Sequence, residues 1–185
     1  LNGGIQADYA VIGEPTMLDV CVAHRGVDRY KITVRGQAGH ASRPENETNP
    51  LYFSAKILNA VEALQCRLAT KKHPILPPPS IAATIVEGGV QGNSIPETCE
   101  IVVDRRTITG EDKEHVRDEI QQIVGQIHKS YPKCSVEYSG IAWIPPTEPR
   151  EHFVLKDISH KILHTMGIDA VIRDFPAGCD QYMFL

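Results

Sequence analysis

From Asp28 to Arg35 the chain alternates strictly. Tyr30, Ile32 and Val34 fall on one face, and Arg29, Lys31, Thr33 and Arg35 fall on the other. A period of two with one apolar and one charged face demands a half-buried strand in a sheet covered on one side only. The following sequence supplies the cover. Pro50 opens a helix at a first-turn position, where its missing N–H costs little. Leu51, Ala55, Leu58, Val61, Leu64 and Leu68 then recur at spacings of three and four and predict one apolar stripe. Ser80 to Glu87 and Thr98 to Arg105 read as two further strands, the second with Cys99, Ile101 and Val103 on one face. Thr109-Gly110-Glu111-Asp112 has the form of a capping box. It precedes a second helical stripe of Val116, Ile120, Ile123, Val124 and Ile127. Cys134, Val136 and Tyr138 alternate as a last strand. The order is βαββαβ, which predicts an α+β fold: a split, ferredoxin-like unit whose four-stranded sheet carries two helices on one face. Tyr30, Ile32, Val34, Ile101 and Val103 are expected to face the helices carrying Leu58 and Ile120.

The flanks follow a different pattern. Asp8 to Gly13 is a short apolar run ending at glycine and predicts a buried strand. Ile144-Pro145-Pro146-Thr147-Glu148-Pro149 reads as an extended crossing. His152 to Met166 predicts a helix with Leu155, Ile158, Ile162 and Met166 on one side, stopped by Gly167. Ala170 to Ile172 reads as a short strand. Residues 1–24 and 141–185 therefore resemble pieces of a second, α/β domain into which 25–140 is inserted. Val11, Ile12, Ile158 and Ile162 are expected to pack together there and to leave an apolar patch exposed. The chain lacks an initiator methionine and ends in mid-pattern, so it reads as a piece of a longer protein.

Charge and cysteine usage narrow the function classes. Nineteen Lys and Arg oppose 23 Asp and Glu, giving a net charge of −4, and the cations are scattered. Nucleic-acid binding needs clustered positive charge, so no nucleic-acid partner is expected. No apolar run reaches the length of a membrane span, so no membrane partner is expected either. Cys21, Cys66, Cys99, Cys134 and Cys179 form no CxxC pair, which argues against a zinc knuckle or a dithiol redox site and for a reducing, cytoplasmic location.

Three places carry candidate chemistry. Glu14, in Gly13-Glu14-Pro15-Thr16, follows an apolar run, and sites in open α/β sheets lie at such strand ends. His40 sits in Gly36-Gln37-Ala38-Gly39-His40-Ala41-Ser42, where small residues allow close approach to an imidazole. Asn93 lies in a glycine-rich loop ahead of Asp104-Arg105-Arg106. The two arginines point to opposite faces of a strand, so one is free to hold a carboxylate bidentately. Each has a plain structural reading as well: a turn for Glu14, an exposed loop for His40, surface ion pairing for the arginines.

Taken in order, the motifs Gly13-Glu14-Pro15-Thr16, His24-Arg25-Gly26, Gly39-His40-Ala41-Ser42-Arg43-Pro44, Gly88-Gly89 with Asn93-x-Ile95-Pro96, Asp104-x-Arg106 and Gly178-x-Asp180 resemble the M20 family of metallopeptidases. That family includes acetylornithine deacetylase, succinyl-diaminopimelate desuccinylase, aminoacylase and carboxypeptidase G. The resemblance implies a catalytic α/β domain interrupted by a βαββαβ lid that also forms a homodimer. It implies two zinc ions per active site, with cobalt as an alternative, of which Glu14 is one metal ligand. His40 would stabilise an oxyanion, often in the partner subunit's site. Asn93 and Arg106 would bind substrate, Arg106 through its carboxylate. Asp180 would lie near the cleft. The expected substrate is an N-acyl amino acid or a short peptide. The remaining metal ligands are not found in this sequence, so the piece alone is expected to be inactive and to hold no metal tightly. A dipeptidase or carboxypeptidase of the same family, or a stand-alone ligand-binding or dimerisation module, are the alternatives.

Overall fold

The computed structural model describes residues 7–46, 48–149 and 153–184. In chain order the elements are β1 (Val20–His24), β2 (Gly26–Arg35), β3 (Gly39–His40), α1 (Pro50–Leu68), β4 (Ser80–Gly88), β5 (Ser94–Ile95), β6 (Thr98–Thr107), α2 (Lys113–His128), β7 (Ser135–Ile144), α3 (Val154–Thr165) and β8 (Ile172–Phe175). The main sheet has the order β4-β6-β2-β7, and every neighbouring pair is antiparallel. The alternation in β2 is resolved as its sequence demands. Tyr30, Ile32 and Val34 enter the core, together with Ile101 and Val103 from β6 and with Ile57, Val61, Ile120 and Val124 from the two helices. Burying each large aliphatic side chain of this set contributes about 1.5–3 kcal/mol. The opposite face is a charge ladder in which Arg29 pairs Asp104, Lys31 pairs Glu100 and Arg35 pairs Glu137.

α1 starts where Pro50 places it. Asn49 caps it, its Oδ1 accepting the Leu51 N–H at 2.9 Å. The stripe is rotated from the expected one: Phe53, Ser54 and Ile57 are buried with Val61, Leu64 and Leu68, while Ala55 is exposed and Leu58 only half-buried. The aromatic end of the core sets this rotation, since the Phe53 ring meets Tyr131 edge-on at 5.4 Å and His128 at 6.2 Å. The start of α2 also differs from the capping-box expectation. Asp112, not Thr109, is the cap, its Oδ1 accepting from His115 N at 2.7 Å. Glu111 is drawn inward instead, onto Arg105, Lys71 and the Ile108 N–H, so residues 109–111 form a turn.

The flanks form a small parallel pair of β1 with β8, with α3 packed against β1. Asp8 to Gly13 is not a strand; it has no ladder partner among the described residues, and Val11 is 82% exposed. The strand lies later, at β1. Nor do Ile158 and Ile162 pack inward: both are about half exposed, with Val154 and Met166 beside them. It is Leu155, Ser159 and Leu163 that line the cleft against β1. An apolar α3 face is therefore left open, as expected, but by different residues. Val22 and Ala23 of β1 join Leu76 and Ile108 in a second small core at the junction. His24 and Thr147 exchange both backbone hydrogen bonds, at 3.1 and 3.0 Å, which ties the two crossings together. Among the described residues no helix is long and apolar enough to cross a membrane.

Candidate functional site

The candidate residues fall into two groups at opposite ends of the main sheet. The first is built by the short ladder of β3 with β5, in which His40 stands opposite Ser94. The Ala41 N–H donates to the Asn93 carbonyl at 3.0 Å, so His40 and Asn93 share one corner. Gly36 makes the approach feasible: its N–H donates to the Glu97 carbonyl at 2.8 Å, and a Cβ there would collide with the Thr48 carbonyl. His40 is exposed. Its Nδ1 accepts the Ser42 N–H at 3.2 Å and lies 2.7 Å from the Ser42 hydroxyl. An Nδ1 that accepts leaves the neutral ring protonated at Nε2, which is then the ring's donor.

The second group lies where β1, the ends of β2 and β6 and the segment after β8 meet. Glu14 is half-buried. It is followed by a tight reversal in which Met17 and Leu18 both take the left-handed conformation, at φ of 58° and 71°. That costs roughly 1–2 kcal/mol per non-glycine residue, and the reversal is closed by Asp19 N–H donating to Thr16 O at 3.2 Å. Glu14 lines a cleft of ≈ 310 Å³ with Ile12, Cys21, Leu163, Cys179 and Gln181. Burial pushes both thiols, Cys21 and Cys179, above their ordinary range. His24 is wholly buried with Nε2 unpartnered. Burial lowers its pKa, partly offset by its bond to the Arg25 carbonyl and by the charge of Glu14.

Arg106 belongs to this second group. It stands opposite Val27 of β2, and a Cβ on Gly178 would touch Val27 at 3.2 Å. The loop carrying Asp180 therefore rests on the strand beside Arg106. Asp104 holds Arg106 from below, its Oδ1 accepting from Nε at 2.6 Å, while its Oδ2 accepts from Arg29. Burial opposes ionisation of Asp104, but the two guanidiniums outweigh it and hold the carboxyl below its usual range. Arg105 points the other way and is buried on Glu111, which makes it a structural residue.

The two groups are thus separated by the length of β6 from Thr98 to Arg106, roughly 26 Å at ~3.3 Å per residue. The sequence sets His40 apart from Glu14, one in the lid and one before it, but it groups Asn93 with Asp104-Arg105-Arg106, and the structure divides that group by placing Asn93 beside His40; two elements behind the division carry little sequence signal. β1 has no alternation and finds its partner 150 residues on, and β5 is two residues long.

Residues 22–132, more than half of the chain, match the family model described as the peptidase dimerisation domain of the M20 group. The chain belongs to the M20 peptidase family. The match runs from β1 to the turn after α2 and stops short of β7. Among curated relatives, acetylornithine deacetylase of Proteus mirabilis (strain HI4320) is 31% identical over 140 residues, covering 74% of this chain and 36% of the relative. The enzyme of the same name from Buchnera aphidicola subsp. Schizaphis graminum is 28% identical over 163 residues, covering 86% of this chain and 43% of the relative. The chain thus spans less than half the length of these curated relatives. Among solved structures, AtUAH in complex with (S)-hydroxyglycine superimposes with a TM-score of 0.74 at 19% identity, over 89% of this chain and 38% of that one. A tripeptidase from Staphylococcus aureus subsp. aureus Mu50 gives 0.71 at 14% identity, over 97% and 46%. At such identities these likenesses concern the fold alone.

The family's dependence on metal prompts a test of the donors present. Among the described residues no three His, Cys, Asp or Glu side chains cluster as a metal-binding set. A catalytic zinc takes about three protein ligands, so Glu14 on its own does not make such a site.

Proposed function

We propose that this M20 chain is the lid and dimerisation portion, 25–140, of a metal-dependent amidohydrolase, with 1–24 and 141–185 belonging to its catalytic domain. The parent removes the acyl group from an N-acyl amino acid. The curated relatives, acetylornithine deacetylases, support that substrate class over a peptide. The metal, two zinc ions or cobalt in their place, would supply Lewis-acid chemistry, with Glu14 as one ligand and the other ligands outside this chain. Arg106, braced by Asp104, holds the substrate carboxylate. His40 donates its Nε2–H to the oxygen that gains charge as the amide carbonyl is attacked, and the Asn93 amide helps to seat the acyl group. The observation that carries this reading is the separation of His40 and Asn93 from Glu14 and Arg106. One substrate cannot touch both groups of one chain, so the site is shared between two subunits of a homodimer. The β4 edge, with Ile85 and Val86 about half exposed, is the seam we assign to that dimer, because an unpaired edge is a template for pairing. The five free cysteines fit a reducing, cytoplasmic setting.

The test is hydrolysis by the full-length parent. N-acetyl amino acids should be cleaved with metal present, and unblocked dipeptides should be poor substrates. Preferential cleavage of dipeptides would replace the deacylase reading with a dipeptidase.

A further inference from the structure

Arg25 has no assigned role, yet its guanidinium is directed into the Arg106 corner. Residues 25, 27 and 29 share one face of the extended chain, and Val27 stands beside Arg106. Arg25 Nη1 donates to the Pro78 carbonyl at 3.1 Å and to the Ser80 hydroxyl at 3.4 Å. Ser80 is itself the β4 residue paired with Arg106. The Arg25 side chain thus reaches across the sheet end to the position flanking Arg106. Its Nε is buried and has no hydrogen-bond partner.

Charge in this corner is unbalanced. Asp104 is engaged on one edge by Arg29 and on the other by Arg106. The bonds from Arg106 use Nε and Nη2, so its Nη1 is turned away from Asp104. Arg25 meets no carboxylate in an ion pair among the described residues; Asp174 and Asp104 act on it only from a distance. Burial, and next the positive charge of Arg106, destabilise its cationic form. Three guanidiniums face one engaged carboxylate, Asp104, and Arg106 Nη1 and Arg25 Nη2 make no hydrogen bond among the described residues.

We propose that Arg25 and Arg106 form a paired-guanidinium site for one substrate carboxylate, each giving its free terminal nitrogen, Nη2 of Arg25 and Nη1 of Arg106, with Ser80 and Asp104 as the positioning residues that aim them. This rests on the reading of Arg106 as the carboxylate-binding residue and adds Arg25 as a specificity-determining one. One charged N–H donor from each guanidinium matches the two oxygens of a carboxylate. A neutral carboxamide offers one oxygen and adds two N–H donors, which a pair of cations repels.

The test is binding, read from the arginine Nε–Hε resonances of the 185-residue chain by NMR, so it does not depend on turnover. N-acetylglycine is the probe; N-acetylglycinamide and inorganic phosphate are the comparisons. N-acetylglycine should shift the Arg25 and Arg106 signals together and saturably, the amide should move neither, and phosphate should bind more weakly. Arg25→Gln should weaken N-acetylglycine about tenfold. Arg25→Lys, which keeps the charge and one donor to Pro78 but has no second nitrogen to reach the carboxylate, should recover only part. If Arg25→Gln fails to keep the wild-type backbone spectrum, the Lys variant decides. Wild-type affinity in Arg25→Lys, equal binding of the amide or phosphate, or silence of both signals would overturn the site. A shift at Arg106 alone would remove Arg25 from the site while leaving the deacylase reading in place.

Discussion

His40 and Arg106 stand at opposite ends of one antiparallel sheet, His40 beside the start of β6 through its pairing with Ser94 and Arg106 near its end. The strands between them are stiff, so side-chain motion cannot close the gap. A catalytic hydrogen bond needs heavy atoms about 3 Å apart. If both residues serve one substrate, they come from two subunits.

The two groups should give different kinetic signatures in the full-length parent. His40→Ala should lower kcat by roughly 10²–10³-fold, as for loss of one oxyanion donor, with KM little changed. Arg106→Ala should act chiefly on KM, since a carboxylate clamp holds ground state and transition state alike. Steady-state kinetics on an N-acetyl amino acid distinguish them. A KM effect from His40→Ala without a kcat effect would reassign that residue to binding.

Charge placed on the outer strand should break the dimer. Ile85 and Val86 of β4 are each about half exposed, and substitutions at such positions alter stability by only ~0.5 kcal/mol. The double variant Ile85→Lys, Val86→Lys should therefore sediment as a folded monomer. Persistence of the dimer would move the interface to another surface.

Buried and exposed ion pairs should differ sharply in stability. Asp28 is fully buried and is held bidentately by Arg117, at 2.7 and 3.0 Å. Arg117→Met strands that carboxylate and should cost about 3–5 kcal/mol in denaturant unfolding. Arg29 is 42% exposed, and Arg29→Ala should cost under ~1 kcal/mol.

Acid should weaken the fold through Glu111 and Asp104. Burial favours protonation of both, but their cationic partners prevail and depress their pKa values below the ordinary 4.5 and 3.8. A depressed folded pKa gives stability that is complete above the unfolded value and is lost as pH falls through the folded one. Thermal unfolding followed downward from about pH 5 should show a falling Tm, and Glu111→Gln should flatten the slope. An unchanged slope would mean that other carboxylates govern acid unfolding.

The βαββαβ unit was legible because its strands alternate and its helices carry stripes, two periods that elementary geometry converts into faces. What the periods left open was rotation. Leu51 and Leu58 are comparable in apolar character to Phe53 and Ile57, and the contacts of Phe53 with Tyr131 and His128 go with the arc that faces inward. β1 is not legible because its ladder partner, β8, is remote in sequence, and the apolar run from Asp8 to Gly13 is misleading because such a run becomes a strand only where a neighbour completes its hydrogen bonds. In the site, residue identity was legible from the motifs, but the distance between His40 and Arg106 was not, since it depends on how β6 lies between them.

The central claim is that His40 of one subunit serves the site around Glu14 of the other, and subunit mixing tests it most directly. Full-length His40→Ala homodimers and Glu14→Ala homodimers should each be nearly inactive. After subunit exchange, verified by native mass spectrometry, each heterodimer holds one site with both residues intact, so activity should recover toward half the wild-type value per heterodimer. Exchange without any recovery of activity would contradict the shared site.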